Sequence, residues 1–247
     1  MSGQEKSPCR ILVMASGFGS NFQALIDAVD EGKTIRNSQI IRLVTNRKNA
    51  YATTRAEGAG KMSPCLSGLH ALSNTTPGIP WDYFNLISHG FLPKGEKDEQ
   101  KIAEARERYD AALAKRVLSA DDKPPELIVL AGWMHIFSKE FLEPMEKAGA
   151  RIINLHPALP GEFDGANAIE RAYEELTAGR LTRTGIMAHY VIKEVDRGTP
   201  IVVEEIEWKG ETLEELKDKI HSCEHKLIVD ATAKVVDEIL EGRAKET

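Results

Sequence analysis

Short, unbroken apolar runs in this chain alternate with segments whose apolar positions return every three or four residues. Residues 10–15 (RILVMA) close in a glycine-bearing turn at 16–20, after which Phe22, Leu25, Ile26 and Val29 recur at helical spacing. The pattern predicts a strand, a tight turn and a helix, the opening unit of a doubly wound α/β fold. Residues 40–45 (IIRLVT) predict a second strand, and residues 127–131 (LIVLA) and 152–155 (IINL) predict two more, with helical segments between or before them. Strands alternating with helices imply an α/β fold of Rossmann-like type, with a mostly parallel central sheet flanked by helices on both faces.

Residues 66–100 break this rhythm. They are polar, with Gly and Pro scattered through them, and read as surface loops around a short strand at 83–87. A charged helix follows, with Ile102, Ala105, Tyr109, Ala112 and Leu113 on one face. Residues 185–192 (GIMAHYVI) and 200–207 (PIVVEEIE) predict two further strands joined by 193–199 (KEVDRGT). Thr212 and Glu215 have capping-box spacing and open a long final helix, with Leu216, Ile220, Cys223, Leu227 and Ala231 on its buried side. No repeat, low-complexity tract or linker intervenes, so residues 1–247 are expected to form a single domain.

Composition narrows the classes of function. A chain of 247 residues with 42% apolar and 28% charged residues has ample length for a core. Its formal net charge of −6 argues against a general nucleic-acid binder, because phosphate backbones attract basic surfaces. Cys9, Cys65 and Cys223 form no CxxC pair and leave an odd count, which suits a reducing compartment better than a disulfide framework. The first ten residues lack the apolar core of a signal peptide, and no stretch approaches transmembrane length. A cytoplasmic location is expected, with no membrane or nucleic-acid partner.

Four motifs carry candidate chemistry. The turn Ser16-Gly-Phe-Gly-Ser-Asn21 lets the backbone approach a ligand and sets helix-start amides around it, so Gly19, Ser20 and Asn21 suit a phosphate; a plain tight turn is the other reading. Phe22 replaces the third glycine of a dinucleotide fingerprint, and no acid follows the second strand, which disfavours NAD. Arg47 and Lys48 keep an NADP-dependent oxidoreductase open. Asn154 and His156 follow a buried strand two residues apart, where they face the same way and could stabilise an oxyanion. Asp196, in a glycine-containing loop after His189, could polarise His156 or simply form the turn. Finally, His221-Ser-Cys-Glu-His225 matches the spacing of one zinc-protease class, yet too little chain follows to supply a third ligand and a cleft. No metal is expected.

Taken in order, SGFGSN, LAGWMHIFS, INLHPALPG, GIMAHYVIKEVDRGTPIV and CEH resemble the folate-dependent formyltransferases from about Arg10 to Leu240. The run HPALPGEFDGANAIERA is most similar to the fungal-type monofunctional branch acting on glycinamide ribonucleotide. The resemblance implies transfer of a formyl group from 10-formyltetrahydrofolate, the co-substrate, to the amine of that ribonucleotide, by a monomer or homodimer. It assigns catalysis to Asn154, His156 and Asp196, with His189 in support. It places Gly19, Ser20, Asn21 and Arg106 at the substrate phosphate and Glu224 at the ribose hydroxyls. Met134, His135, Ile136, Phe137, Tyr190, Val191, Glu194 and Val195 would line the folate pocket, His135 standing where bacterial-type relatives commonly carry arginine. Ala158 likewise replaces a serine. The alternatives are a 10-formyltetrahydrofolate hydrolase using the same three residues, which usually carries a further N-terminal domain, a methionyl-tRNA formyltransferase with a C-terminal RNA-binding domain, and a non-catalytic folate sensor.

Overall fold

In the computed structural model, residues 7–59 and 78–245 are described. Seven strands form one sheet: β1 (Cys9–Met14), β2 (Ser38–Thr45), β3 (Trp81–Tyr83), β4 (Leu127–Leu130), β5 (Arg151–His156), β6 (Arg183–Tyr190) and β7 (Pro200–Glu207). Their spatial order is β3-β2-β1-β4-β5-β6-β7. The first five in this order are parallel; β6 runs antiparallel to β5, and β7 antiparallel to β6.

Six helices pack against this sheet: α1 (Ser20–Glu31), α2 (Ala52–Gly58), α3 (Glu99–Ser119), α4 (Lys139–Lys147), α5 (Ala168–Thr177) and α6 (Leu213–Lys245). Side chains of β1 alternate between two cores. Ile11 and Val13, with Ala15 just past the strand, meet α1 and α6, while Leu12 and Met14 meet α3 and α4. A strand covered on both faces has no solvent side, and this is why its sequence is an unbroken apolar run rather than an alternating one. The largely parallel, two-faced architecture expected from the sequence is the one observed.

The short strand lies at Trp81–Tyr83, not at 83–87. Beyond Phe84 the side-chain oxygen of Asn85 accepts from the amides of Ile87 and Ser88 at 2.9 and 3.0 Å, giving that backbone a local turn in place of a ladder. Phe84 itself is buried and stacks on Tyr109, with ring centroids 5.1 Å apart. Cys223 is half-buried and packs against the core on the expected face of α6, with Leu216, Ile220, Leu227 and Ala231. Part of the predicted loop region, residues 66–77, and Cys65 lie outside the described residues. The capping box is present: the Thr212 amide donates to Glu215 Oε2 at 2.8 Å, and the Glu215 amide to Thr212 Oγ1 at 3.4 Å.

Candidate active site

Where β5 ends, the sheet also changes direction. The reversal pairs Asn154 with His189 across the β5–β6 ladder, so residues far apart in sequence meet at the carboxyl edge of the parallel strands. Asn154, His156, His189 and Asp196 all line one cleft of about 360 Å³. His156 and His189 are 4% and 2% exposed, which removes both imidazoles from bulk water.

Asp196 is brought to them by the turn between β6 and β7. Its backbone is left-handed, with φ 56°, a conformation that Asp and Asn tolerate better than other residues with a side chain. Two residues on, a Cβ at Gly198 would stand 1.6 Å from the Tyr190 carbonyl oxygen, so only glycine lets the turn close. Asp196 Oδ2 lies 3.3 Å from His156 Nδ1 and accepts from the Gly165 amide at 2.8 Å. Its Oδ1 lies 3.4 Å from His189 Nε2.

Protonation follows from these partners. His189 Nδ1 is 2.9 Å from the Tyr190 carbonyl, which only accepts, so this nitrogen carries a proton. Burial pushes the Asp196 carboxyl up, but the His189 ring and the Gly165 amide, joined at acid pH by the charge His156 then carries, outweigh it and hold the group below the ordinary carboxylate value. For His156 the balance goes the other way. Desolvation lowers its pKa by more than Asp196 raises it, so the resting imidazole is neutral at neutral pH. Both ring nitrogens face acceptors, Nε2 the Phe163 carbonyl at 3.2 Å and Nδ1 the Asp196 carboxylate at 3.3 Å. A ring carrying both protons would be satisfied on each side, by the carbonyl and by the carboxylate. The ring is thus placed to become cationic when negative charge develops beside it.

On the other sheet face, Gly19 ends the glycine loop with φ 74°, and a Cβ there would come within 2.8 Å of the Ala52 Cβ. The first turn of α1 has no side-chain cap, leaving its amides to an incoming anion. Asn21 donates from Nδ2 to Glu224 Oε2 at 3.0 Å, joining the loop to α6, while its buried Oδ1 has no partner among the described residues. Gly19, Ser20, Asn21 and Glu224 are therefore brought together. Arg106 is not with them. It lies on α3, one turn before Asp110, on the sheet face opposite Asn21 and Glu224. Arg55, which the sequence did not single out, donates from Nε to the Phe18 carbonyl at 3.0 Å and braces the loop from α2.

The expected folate residues divide. Met134 and Ile136 project into the cleft, 73% and 56% exposed, opposite Val191, Glu194 and Val195. Phe137 is buried and stacks on Phe141 at 4.0 Å. His135 turns inward to Asp110, with Nε2 2.6 Å from Oδ1. Tyr190 turns away from the cleft, its hydroxyl donating to Glu238 at 2.7 Å, and burial raises its pKa to about 12. In the zinc-like motif, His221 Nε2 stands 3.9 Å from Glu224 Oε1, and Glu224 is already engaged by Asn21. Among the described residues no group of His, Cys, Asp and Glu is arranged to hold a metal ion, and no helix is long and apolar enough to cross a membrane.

The α/β sheet thus carries an Asn–His–Asp set at its carboxyl edge and a glycine loop on its other face. Residues 9–232 fit the Formyl transferase family, and the chain belongs to it. Within that family it is similar to the phosphoribosylglycinamide formyltransferases. It is 39% identical to the one from Schizosaccharomyces pombe over 92% of this chain and 96% of that protein. The Saccharomyces cerevisiae protein of that name is 38% identical, over 93% of this chain and 98% of its own length. Among solved structures, phosphoribosylglycinamide formyltransferase from Coxiella burnetii superposes with a TM-score of 0.66 at 29% identity, covering 92% of this chain and 86% of that one.

Proposed function

We propose that this chain transfers the formyl group of 10-formyltetrahydrofolate to the amine of glycinamide ribonucleotide, a formyl transfer of de novo purine synthesis. The observation carrying the reading is the shared placement of Asn154, His156 and Asp196 in one cleft, between an apolar wall and the turn that supplies Asp196. Family membership and the similar formyltransferases support the same reaction.

In this reading Gly19, Ser20 and Asn21 hold the substrate phosphate and Glu224 the ribose hydroxyls. Met134, Ile136 and the 191–195 segment receive the folate. The neutral amine attacks the formyl carbon, forming a C–N bond and a tetrahedral oxyanion. The Asn154 amide and the His156 Nε2–H stabilise that oxyanion, each donor contributing a few kcal/mol, on the order of 3. Charge developing on the oxygen raises the affinity of His156 for a second proton, and Asp196 stabilises the resulting imidazolium. The C–N bond to the folate then breaks, and the proton lost by the attacking amine ends on the departing folate nitrogen, with His156 and Asp196 in reach to relay it. Holding both substrates in one cleft supplies proximity.

The test is tetrahydrofolate release from 10-formyltetrahydrofolate, with and without glycinamide ribonucleotide, in the presence of a chelator. Release that requires the ribonucleotide is expected. Equal release without it would make the protein a hydrolase, and no release in either case would overturn the acceptor assignment.

A further inference from the structure

We infer that Asp110 and His135, which the reaction above does not use, form a positioning pair that sets the shape of the folate wall; the inference rests on the folate reading of that cleft. Asp110 is fully buried on α3. A carboxylate removed from water at such a place is costly unless each oxygen finds a donor. Here both do. Oδ1 is 2.6 Å from His135 Nε2, and Oδ2 accepts from the Ser138 amide at 2.6 Å.

These two bonds fasten one half of the segment that joins β4 to α4. The other half is fastened by Ser16, whose amide donates to the Gly132 carbonyl at 3.1 Å and whose Oγ accepts from the Met134 amide at 3.1 Å. The His135 ring is enclosed edge-on by Tyr109 and Phe137, at 5.2 and 5.7 Å. The segment therefore alternates like a strand although no strand pairs with it. Trp133, His135 and Phe137 turn inward, while Met134 and Ile136 stand out at 73% and 56% exposure. Two large apolar side chains held outward in a cleft form a surface for a flat apolar ligand. The backbone groups of His135 and Ile136 make no hydrogen bond among the described residues, which leaves them for a heteroaromatic edge. In this arrangement the His135 side chain acts on the folate only through the shape it imposes on the segment.

The distinguishing variant is Asp110→Asn. Both partners of the carboxylate are donors, and an amide offers one accepting oxygen where the carboxylate offers two, so one bond is lost. Binding of tetrahydrofolate by calorimetry is expected to weaken about tenfold, with KM for 10-formyltetrahydrofolate rising in parallel. KM for the ribonucleotide and kcat at saturating folate should stay within about twofold. His135→Arg keeps a donor toward Asp110 and should restore binding to within about threefold, whereas His135→Phe, which keeps the ring but drops the donor, should not. If Asp110→Asn does not fold, His135→Phe carries the comparison. Variants that melt earlier yet bind tetrahydrofolate like the unaltered protein would overturn the pair's role. An unaltered protein that fails to bind tetrahydrofolate would overturn the folate reading itself, and this inference with it.

Discussion

His156 Nε2, the nitrogen that faces away from Asp196, points at the carbonyl oxygen of Phe163, 3.2 Å away. Phe163 is a bulky residue at φ 48°, a backbone region such residues avoid. It is kept there by Arg171, which donates to the Phe163 and Asp164 carbonyls at 2.5 and 2.6 Å, and by the Arg197–Asp164 ion pair at 2.5 Å. The loop thus offers His156 Nε2 an acceptor of the kind that the proposed reaction assigns to the formyl oxygen. Arg171 is the side-chain partner that holds this carbonyl in place.

Removing that partner should loosen the loop without touching substrate. Arg171→Gln is expected to cost about 2 kcal/mol of stability, the scale of hydrogen bonds from a charged donor. It should lower kcat about tenfold with both KM values nearly unchanged, because Gly165 no longer holds Asp196 in place. Denaturant midpoints and steady-state rates measure both effects. A stable variant with full kcat would show that the loop does not orient the acid.

Asp196→Asn keeps the size and tolerates the left-handed backbone, so the turn should survive. Losing the negative charge removes what stabilises the cationic imidazole. A fall in kcat of about a hundredfold or more is expected, with little change in either KM. Near-normal turnover would refute the role.

The charge state of His156 makes a separate prediction. Because burial lowers its pKa below the ordinary 6.5, the ring should titrate by NMR with a midpoint under that value. Asp196 opposes this lowering, so in Asp196→Asn the midpoint should fall further. The unfolded chain takes up this proton more readily than the folded one. Stability therefore drops as pH falls through 6.5 toward the folded midpoint, and His156→Gln should remove that part of the slope. A midpoint at or above the free value would contradict the burial argument.

Gly19→Ala tests the phosphate loop. The new methyl group meets the Ala52 Cβ at 2.8 Å in a backbone conformation that L-residues disfavour. The strain is about 1–2 kcal/mol. Affinity for the ribonucleotide should fall at least tenfold while tetrahydrofolate binding is preserved, both measurable by calorimetry.

Much of this architecture is legible in the sequence because it is local. β1, β2, β4 and β5 are buried on both faces and announce themselves as apolar runs, and the Asn154–His156 spacing needs only the twofold repeat of a strand. What escaped depends on partners distant in the chain. Nothing near His135 says that it turns inward; that is decided by Asp110, a carboxylate close to the apolar positions of α3. Arg171 reads as an ordinary helical charge until the fold places it under the Phe163 carbonyl. The shift of β3 to Trp81–Tyr83 is local instead, the Asn85 side chain taking the amides of Ile87 and Ser88 that a ladder would use.

The reversal between β5 and β6 determines which changes of length the protein tolerates. Asn154 and His189 are opposed by ladder register, not by the chain between them. The stretch containing α5 can therefore gain or lose residues, provided the loop around Gly165 keeps its hold on Asp196. Within β6 there is no such freedom. One residue inserted between Met187 and His189 would turn the imidazole to the opposite face of the sheet and leave Asp196 without that neighbour. Relatives should accordingly vary in length between these strands and hardly at all inside them.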